Sequence, residues 1–475
     1  MSKKKNNIKI TVPSPASEDV TGSLIYIEST NNKIILDCGL YQSNNLKEQY
    51  LANSRKLPFK AKNIDYIFIQ HLHCDHQSLL PRLVKEGFCG RIIMPIGSRS
   101  LFKVMINDSA FIMQKDIDAL KRKYKKDFEP IYTESDVDET LELIDEYDFR
   151  EKIKLNDDLE FEFYHAGHIL HSAQIKLWIR EGNQIKTIGY TSDIGNSKIP
   201  QFYTEDFEPM DKIQVLFGEA TYSRQTRDVT IKDRETDLRK MKDIITEVCC
   251  NNRKKVLIPS FSLSRSQNIL THLYNLFSDD ENFHIPILID SPLTIDICRE
   301  YLKTLDGEEL ELFKKVLSWK NVKLVKDYKE SMGWQNGKEP CVCIASSGMM
   351  TAGRSINWCK SLLPHKGNHI LFVGFATEGS LANKIKNGHK QKTITIEKQK
   401  YDNNCGITEL HSFSSHMCRG GLLKYYSEMQ VDKICLIHSE FQSKVEFAKD
   451  LQEEISKKCH NGKVIAVNKS TVINL

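Results

Sequence analysis

The residues best able to do chemistry lie in one short run, His71-Leu72-His73-Cys74-Asp75-His76. It follows IDYIFIQ (64–70), an almost unbroken apolar segment that reads as a buried strand. In extended chain, residues two apart point the same way, so His71 and His73 can share one metal ion. Asp75 and His76 fall where the chain turns into a helix, signalled by Leu79, Leu80, Leu83 and Val84, and can address a second ion. Imidazole nitrogen and carboxylate oxygen suit zinc, and a catalytic zinc keeps one position for water. Three further groups at strand ends can complete such sites: His168 in YHAGHIL, Asp193 closing TIGYTSD, and His438 in KICLIHSE. Each alone is an ordinary strand-end residue; their order along the chain gives them weight.

The elements that must carry these residues show in the hydrophobic pattern. IKITV, SLIYIE and KIILDCGL alternate as strands with tight turns, and RIIMP (91–95) is another. Residues 100–150 read as charged helix, short strands return over 153–195, and VLFGEATY (215–222) follows as a strand. From 231 the strands KVLIPSF, IPILID, CVCIAS and HILFVGF alternate with helices, the pattern of parallel α/β structure. The tail returns to a helix (419–429), KICLIHSE and a further helix. A strand-rich part at both ends with an α/β part between them implies one domain inserted into another. The expected boundaries are 1–215 and 409–475 for the outer domain and 216–408 for the insertion.

Composition excludes several classes. With 40% hydrophobic and 27% charged residues in 475, the chain is neither disordered nor fibrous. Its 67 Lys and Arg nearly cancel 63 acids, so any basic surface must be local. The run Lys121-Arg122-Lys123-Tyr124-Lys125-Lys126 is the main such cluster and reads as a solvated helix face. No stretch is apolar enough to span a bilayer, and the basic start MSKKKNN runs into a strand rather than a signal-peptide core. Thirteen cysteines without framework spacing point to reduced thiols in a cytoplasmic protein.

HLHCDH, then AGH, then TSD resemble motifs 2, 3 and 4 of the metallo-β-lactamase superfamily, and Asp37 in LDCG resembles motif 1. Glu219 in GEATY, His416 in HSFSSH and His438 in LIHSE are similar to motifs A, B and C of its β-CASP branch, which includes the pre-mRNA 3′-end endonuclease and RNase J. IPSFSLSRSQ, SSGMMTAGRS and GFATEGSLA add to the likeness, which runs from about residue 8 to the C-terminus.

The resemblance implies an α/β fold: a metallo-β-lactamase αββα sandwich with an inserted α/β β-CASP domain. It implies two zinc ions, with manganese the alternative occupant. His71, His73 and His168 would hold one and Asp75, His76 and His438 the other, with Asp193 bridging. An activated hydroxide between the ions would attack a phosphodiester. Asp37 would orient ligating histidines, and His416 beside Glu219 would protonate the departing oxygen. Four positions depart from the family pattern: Cys418 replaces the acid two residues after His416, Ser347 a proline, and Ser192 a glycine. The fourth, His171, replaces a small residue and reads as an ordinary surface histidine.

The substrate follows by the same likeness. Ser346, Ser347, Gly348 and Met349 lie between a strand and a helix, where backbone N–H groups can cradle phosphate. Thr377, Gly379 and Ser380 repeat that arrangement, with Lys384, Lys386 and Lys390 after them. Ligand sites favour the cleft between domains. A histidine at motif C marks RNA-acting members, so the expected partner is single-stranded RNA, with no membrane and a homodimer left open. The alternatives are a DNA nuclease, a small-phosphodiester hydrolase, or a non-catalytic RNA-binding scaffold, a class that typically loses metal ligands. From the short segments before residue 8 and after His438, neither an added RNA-binding module nor a C-terminal assembly domain is expected.

Overall fold

The computed structural model describes residues 8–225, 228–374, 376–388, 391–458 and 461–475. Lys390, Phe375 of GFATEGSLA and the basic MSKKKNN start lie outside them. The chain divides into two compact units. One comprises 1–200, 204–228 and 415–475; the other comprises 201–203 and 229–414.

In the first unit two seven-stranded sheets face each other. One runs, edge to edge, Val472–Asn474, Lys9–Thr11, Ile25–Glu28, Lys33–Leu36, Tyr66–Phe68, Arg91–Pro95 and Ile144–Tyr147. The other runs Lys463–Ala466, Lys433–Ile437, Val215–Glu219, Gln184–Tyr190, Ala173–Glu181, Leu159–His165 and Ile153–Asn156. Strand alternation turns one row of side chains from each sheet inward. Phe68 of one sheet thus meets Phe161 of the other with ring centroids 5.1 Å apart. Helices cover the outer faces: Ser98–Tyr124 on the first sheet, with Glu134–Glu142 packed against that helix, and Arg419–Glu428 and Phe441–Lys457 on the second. On the latter side Leu422, Tyr426, Phe447 and Leu451 bury against Leu216, Ile434 and Leu436.

The second unit holds a six-stranded sheet, all parallel, in the order Val322–Leu324, Ile287–Asp290, Cys341–Ala345, Lys255–Pro259, His369–Phe372, Gly406–Glu409. Its central strands are apolar on both faces because helices cover both. Val256 and Ile258 pack with Leu270, Leu273 and Phe277 on one side, while Leu257 between them packs with Trp358 and Leu362 on the other.

Several sequence expectations shift. Val215–Glu219 pairs with Ile188–Tyr190 and Lys433–Ile437, so it belongs to the first unit, and the break falls after 228 rather than 215. The return falls at 415, not 409. Residues 100–150 are not all helix, since Ile144–Tyr147 is an edge strand beside Arg91–Pro95. The first fifty residues are not all strand, since the helix Leu46–Ser54 begins there on an Asn45 cap. Two C-terminal strands follow the last helix, and Val472–Asn474 pairs with Lys9–Thr11.

Candidate metal centre

Six strands of the first unit deliver polar residues to one edge of its sheets. Asp37 follows Lys33–Leu36, His71 and His73 follow Tyr66–Phe68, and His168 follows Leu159–His165. Asp193 follows Gln184–Tyr190, Glu219 closes Val215–Glu219, and His438 follows Lys433–Ile437. A strand running straight on would carry these side chains past one another. The chain instead turns sharply there: Asp37 (φ 57°), Ser192 (φ 49°) and His438 (φ 56°) take left-handed backbone despite carrying side chains. Each such residue costs on the order of 1 kcal/mol and persists where surrounding contacts over-determine it.

The donors fall into two groups, with Asp193 in the first and one of its oxygens near the second. In the first, His168 Nε2 lies 3.3 Å from His73 Nδ1, and Asp193 Oδ2 lies 3.5 Å from His71 Nε2 and 3.6 Å from His168 Nε2. In the second, His438 Nε2 lies 3.1 Å from His76 Nε2 and 3.5 Å from Asp75 Oδ2. Asp193 Oδ1 is 3.6 Å from His76 Nε2. Four ligands held tetrahedrally at zinc bond lengths would sit about 3.3 Å apart. These separations match that spacing, and Asp193 turns one oxygen toward each group. His71 Nε2 and Asp193 Oδ1 are buried without a hydrogen bond, which suits atoms aimed at an ion.

In His76, His71 and His438 the other ring nitrogen, Nδ1, is held by a neighbour, which fixes the ring orientation. Asp37 Oδ2 lies 2.6 Å from His76 Nδ1, and Asp37 also accepts from Tyr190 Oη (2.6 Å), Ser192 Oγ (3.3 Å) and the Gln70 N–H (3.2 Å). Ser192 Oγ lies 3.0 Å from His71 Nδ1, and Thr221 Oγ1 lies 2.9 Å from His438 Nδ1. The serine at 192 therefore links His71 to Asp37, which a glycine there would not.

Charge follows the same logic. Burial and the surrounding imidazoles hold the His71 pKa well below the usual range, leaving it neutral and ready to coordinate. Burial opposes charging His76, but Asp193, Asp37 and Asp75 outweigh it and raise its pKa to about 10. Burial likewise opposes ionising Asp75, yet His76 and His438 hold its pKa below the usual carboxylate range.

His416 stands beside the first group, its ring 4.5 Å from that of His168 and its Nδ1 3.5 Å from Glu219 Oε1. Burial works against its charge, but Glu219 outweighs that and raises its pKa. Glu219 also accepts the Ile194 N–H (2.9 Å) and the Thr221 N–H (3.2 Å), joining the Asp193 turn to the His416 imidazole. Cys418, in place of an acid, is buried and accepts from Asn196 Nδ2 at 3.1 Å. His171 is not a surface residue: it is 8% exposed, and its ring fills the space that Gly97 leaves. Burial, with a smaller push from His165, lowers its pKa to about 4.

The phosphate-cradle candidates gather in the second unit. The Ala382 N–H donates to Met349 O (3.2 Å), and Thr377 Oγ1 lies 3.3 Å from Met349 Sδ, so loops 346–349 and 377–380 are adjacent. Their hydroxyls are engaged locally. Ser346 Oγ pairs with Ser291 Oγ (2.7 Å), Ser347 Oγ accepts the Thr351 N–H (3.1 Å), and Ser380 Oγ caps Asn383 (3.2 Å). Gly348 lies against the Phe261 backbone and Lys384 is exposed.

Two glycines escaped the sequence reading because nothing in their spacing marks them. A Cβ on Gly39 would sit 1.6 Å from Asp75 O, and one on Gly195 would sit 1.7 Å from Gly167 O and 2.9 Å from His168 N. Gly195→Ala should therefore displace the His168 turn. The expected outcome is a loss of about 1–3 kcal/mol in urea unfolding, as for other overpacked sites. Bound metal should fall with it, while Gly333→Ala, where a Cβ meets nothing within 4 Å, changes neither.

A two-sheet sandwich with paired His/Asp donors at one edge defines a metal-dependent hydrolase of the metallo-β-lactamase type. Family models match in register with it: the metallo-β-lactamase superfamily over 18–169, the Beta-Casp domain over 266–385, and a Zn-dependent metallo-hydrolase RNA specificity domain over 400–461. The chain belongs to the β-CASP family of that superfamily. It is 25% identical to the transcription termination factor FttA of Methanocaldococcus jannaschii, over 94% of this chain and 69% of that protein. It is 26% identical to ribonuclease TTHA0252 of Thermus thermophilus, over 90% and 93%. Against cleavage and polyadenylation specificity factor 73 of Drosophila melanogaster the identity is 27%, over 90% and 59%. A crystal structure of a protein of unknown function from Enterococcus faecalis shares the fold, with a TM-score of 0.53 at 11% identity over 99% of this chain and 100% of that one.

Proposed function

We propose that the protein is a two-zinc ribonuclease that hydrolyses single-stranded RNA. The observation that carries this reading is Asp193, whose two carboxylate oxygens face two separate donor groups at ligand spacing. His71, His73 and His168 would hold one ion and Asp75, His76 and His438 the other. Bound there, the pair supplies Lewis acidity toward a phosphoryl group and a nucleophile at neutral pH. Asp37, Ser192 and Thr221 keep the ligating nitrogens aimed inward, and His416, charged through Glu219, gives a proton to the departing oxygen. The loops at 346–349 and 377–380 supply backbone N–H groups for phosphates. RNA as substrate rests on the RNA specificity match and on the likeness to the Thermus thermophilus ribonuclease. No helix among the described residues is long and apolar enough to cross a membrane, and no disulfide joins the described cysteines.

Purified protein should hold two zinc ions per chain and cleave a 5′-labelled single-stranded RNA faster than the matching DNA. DNA cleavage without RNA cleavage would move it to the DNA-acting alternative. Zinc binding with cleavage of neither, but of bis-p-nitrophenyl phosphate, would make it a small-phosphodiester hydrolase. Zinc should also stabilise the fold, since the chelated protein leaves His71 Nε2 and Asp193 Oδ1 buried and unbonded. At a hundredfold excess over Kd the gain is about 2.7 kcal/mol, or roughly 3–5 °C in Tm, measurable by differential scanning fluorimetry. An unchanged Tm would count against a preformed site.

A further inference from the structure

The helix Ser98–Tyr124 connects the candidate metal centre to a feature that the proposed chemistry does not use. Near its middle, Ser109 Oγ lies 3.1 Å from Ser78 Oγ and 3.8 Å from Cys74 Sγ, so the helix packs against the turn bearing Asp75 and His76. It ends fifteen residues later in the run Lys121-Arg122-Lys123-Tyr124-Lys125-Lys126. Lys125 closes it in left-handed backbone (φ 51°), and the chain doubles back across the helix Leu46–Ser54.

That reversal builds an aromatic cluster inside the basic one. The Phe128 ring meets Tyr50 edge-on at 5.2 Å and lies 6.1 Å from Tyr124, and Tyr50 Oη donates to Glu129 O at 3.2 Å. The ammonium groups of Lys47 and Lys123 flank the half-buried Tyr124 ring at 4.9 and 5.2 Å. Lys47, Arg122, Lys123, Lys125 and Lys126 are exposed. Among the described residues the cluster's one ion pair is Lys121 with Asp127, at 4.0 Å. Lysines in a last helical turn are ordinarily explained by the helix dipole, which accounts for 121–123. It does not account for Lys125, Lys126 and Lys47, which lie beyond the turn or on another helix, nor for rings interleaved with them. The stripe leading back along the helix repeats the theme. Phe111 is 55% exposed with Lys115 Nζ 4.1 Å over its ring, and Arg122 lies on the same side, with Asp118 between them and Asp108 close enough to feel the Lys115 charge.

We infer that this basic, aromatic helix end is an auxiliary docking surface for the single-stranded RNA substrate. Phosphates engage Arg122, Lys123, Lys125, Lys126 and Lys47, and a base stacks at the Tyr124–Phe128 cluster. Ammonium groups for the backbone and a sequence-tolerant aromatic face are what single strands require. Fifteen residues at the helical rise span about 22 Å, which a stacked strand covers in roughly 6 nucleotides. Short RNAs therefore cannot reach the surface from the metal centre, and long ones can. The inference rests on the ribonuclease reading for the identity of the polyanion.

The test uses the zinc-loaded full chain with R122Q, K123Q and K126Q combined, which leaves the Lys121–Asp127 pair and the Lys125 turn intact, and separately Y124A. Anisotropy with a phosphorothioate 25-nucleotide oligouridylate should show about tenfold weaker binding for the triple variant. The slope of log affinity against log salt should fall by about 2, near 0.7 per lost phosphate contact. KM for the 25-nucleotide RNA should rise with kcat unchanged, cleavage of a 5-nucleotide RNA should be unaffected, and Y124A should weaken binding without changing the slope. An unchanged slope and KM would overturn the docking surface while leaving the ribonuclease standing. Loss of binding to phosphatidylserine vesicles with RNA binding intact would also overturn it, in favour of a lipid surface. Patch-dependent binding by a wild-type chain that cleaves no RNA would sink the ribonuclease reading and retain the surface.

Discussion

Asp193→Asn is expected to abolish RNA cleavage, by about a thousandfold or more, and to leave less than one equivalent of zinc tightly bound. Oδ2 of Asp193 faces His71 Nε2 and His168 Nε2, and Oδ1 faces His76 Nε2 and lies 3.4 Å from His438 Nδ1. Asparagine keeps the shape but removes the charge and offers an N–H where one group needs an acceptor. Both ions would lose the same anion, so the effect should exceed that of removing any single histidine. Metal catalysis supplies several kcal/mol of transition-state stabilisation, and about 4 kcal/mol corresponds to a thousandfold. The fold should survive, because Asp193 Oδ1 makes no hydrogen bond that packing depends on. Metal content and kcat/KM are the readouts. A variant that kept two ions and a rate within tenfold of wild type would show that Asp193 does not bridge.

Much of this centre was legible in the sequence, for a physical reason. The clustered His and Asp residues lie where strands end or just beyond, and HLHCDH, AGH, TSD and LIHSE each follow an apolar strand whose end can be read from its pattern. What that pattern cannot carry is tertiary clearance. Gly39 and Gly195 matter because Asp75 O and Gly167 O come within bonding distance of where a Cβ would stand, a fact about segments far apart in sequence. Ser192 looked like a mere departure from glycine until the structure set its hydroxyl between His71 and Asp37. His171 misled in the opposite direction, since its burial depends on the small residue at 97. The inserted unit was equally readable as α/β, because strands buried on both faces are continuously apolar. Its start was misplaced because VLFGE is as apolar as those strands, and only its pairing with Lys433–Ile437 assigns it to the outer sheet.

His416→Ala is expected to lower kcat by about 100- to 10,000-fold with both zinc ions retained and KM little changed, the range for loss of a general acid. The distinction matters because Asp193, Glu219 and His416 also lie close enough together to hold an ion themselves. Were His416 a ligand, the alanine variant would lose metal along with activity. The neighbourhood favours a proton donor instead: Glu219 is spent on His416 and on the N–H groups of Ile194 and Thr221, and it favours the imidazolium. Glu219→Gln should then cost less than His416→Ala, about 10- to 100-fold, because the imidazole remains but loses the partner that keeps it charged. A substrate whose departing oxygen is replaced by sulfur separates the roles further. Thiolate leaves without a proton, so His416→Ala should recover most of its rate on that substrate, whereas Asp193→Asn should not. Equal defects of His416→Ala on the oxygen and sulfur substrates would remove His416 from proton transfer and leave it as a residue that shapes the metal centre.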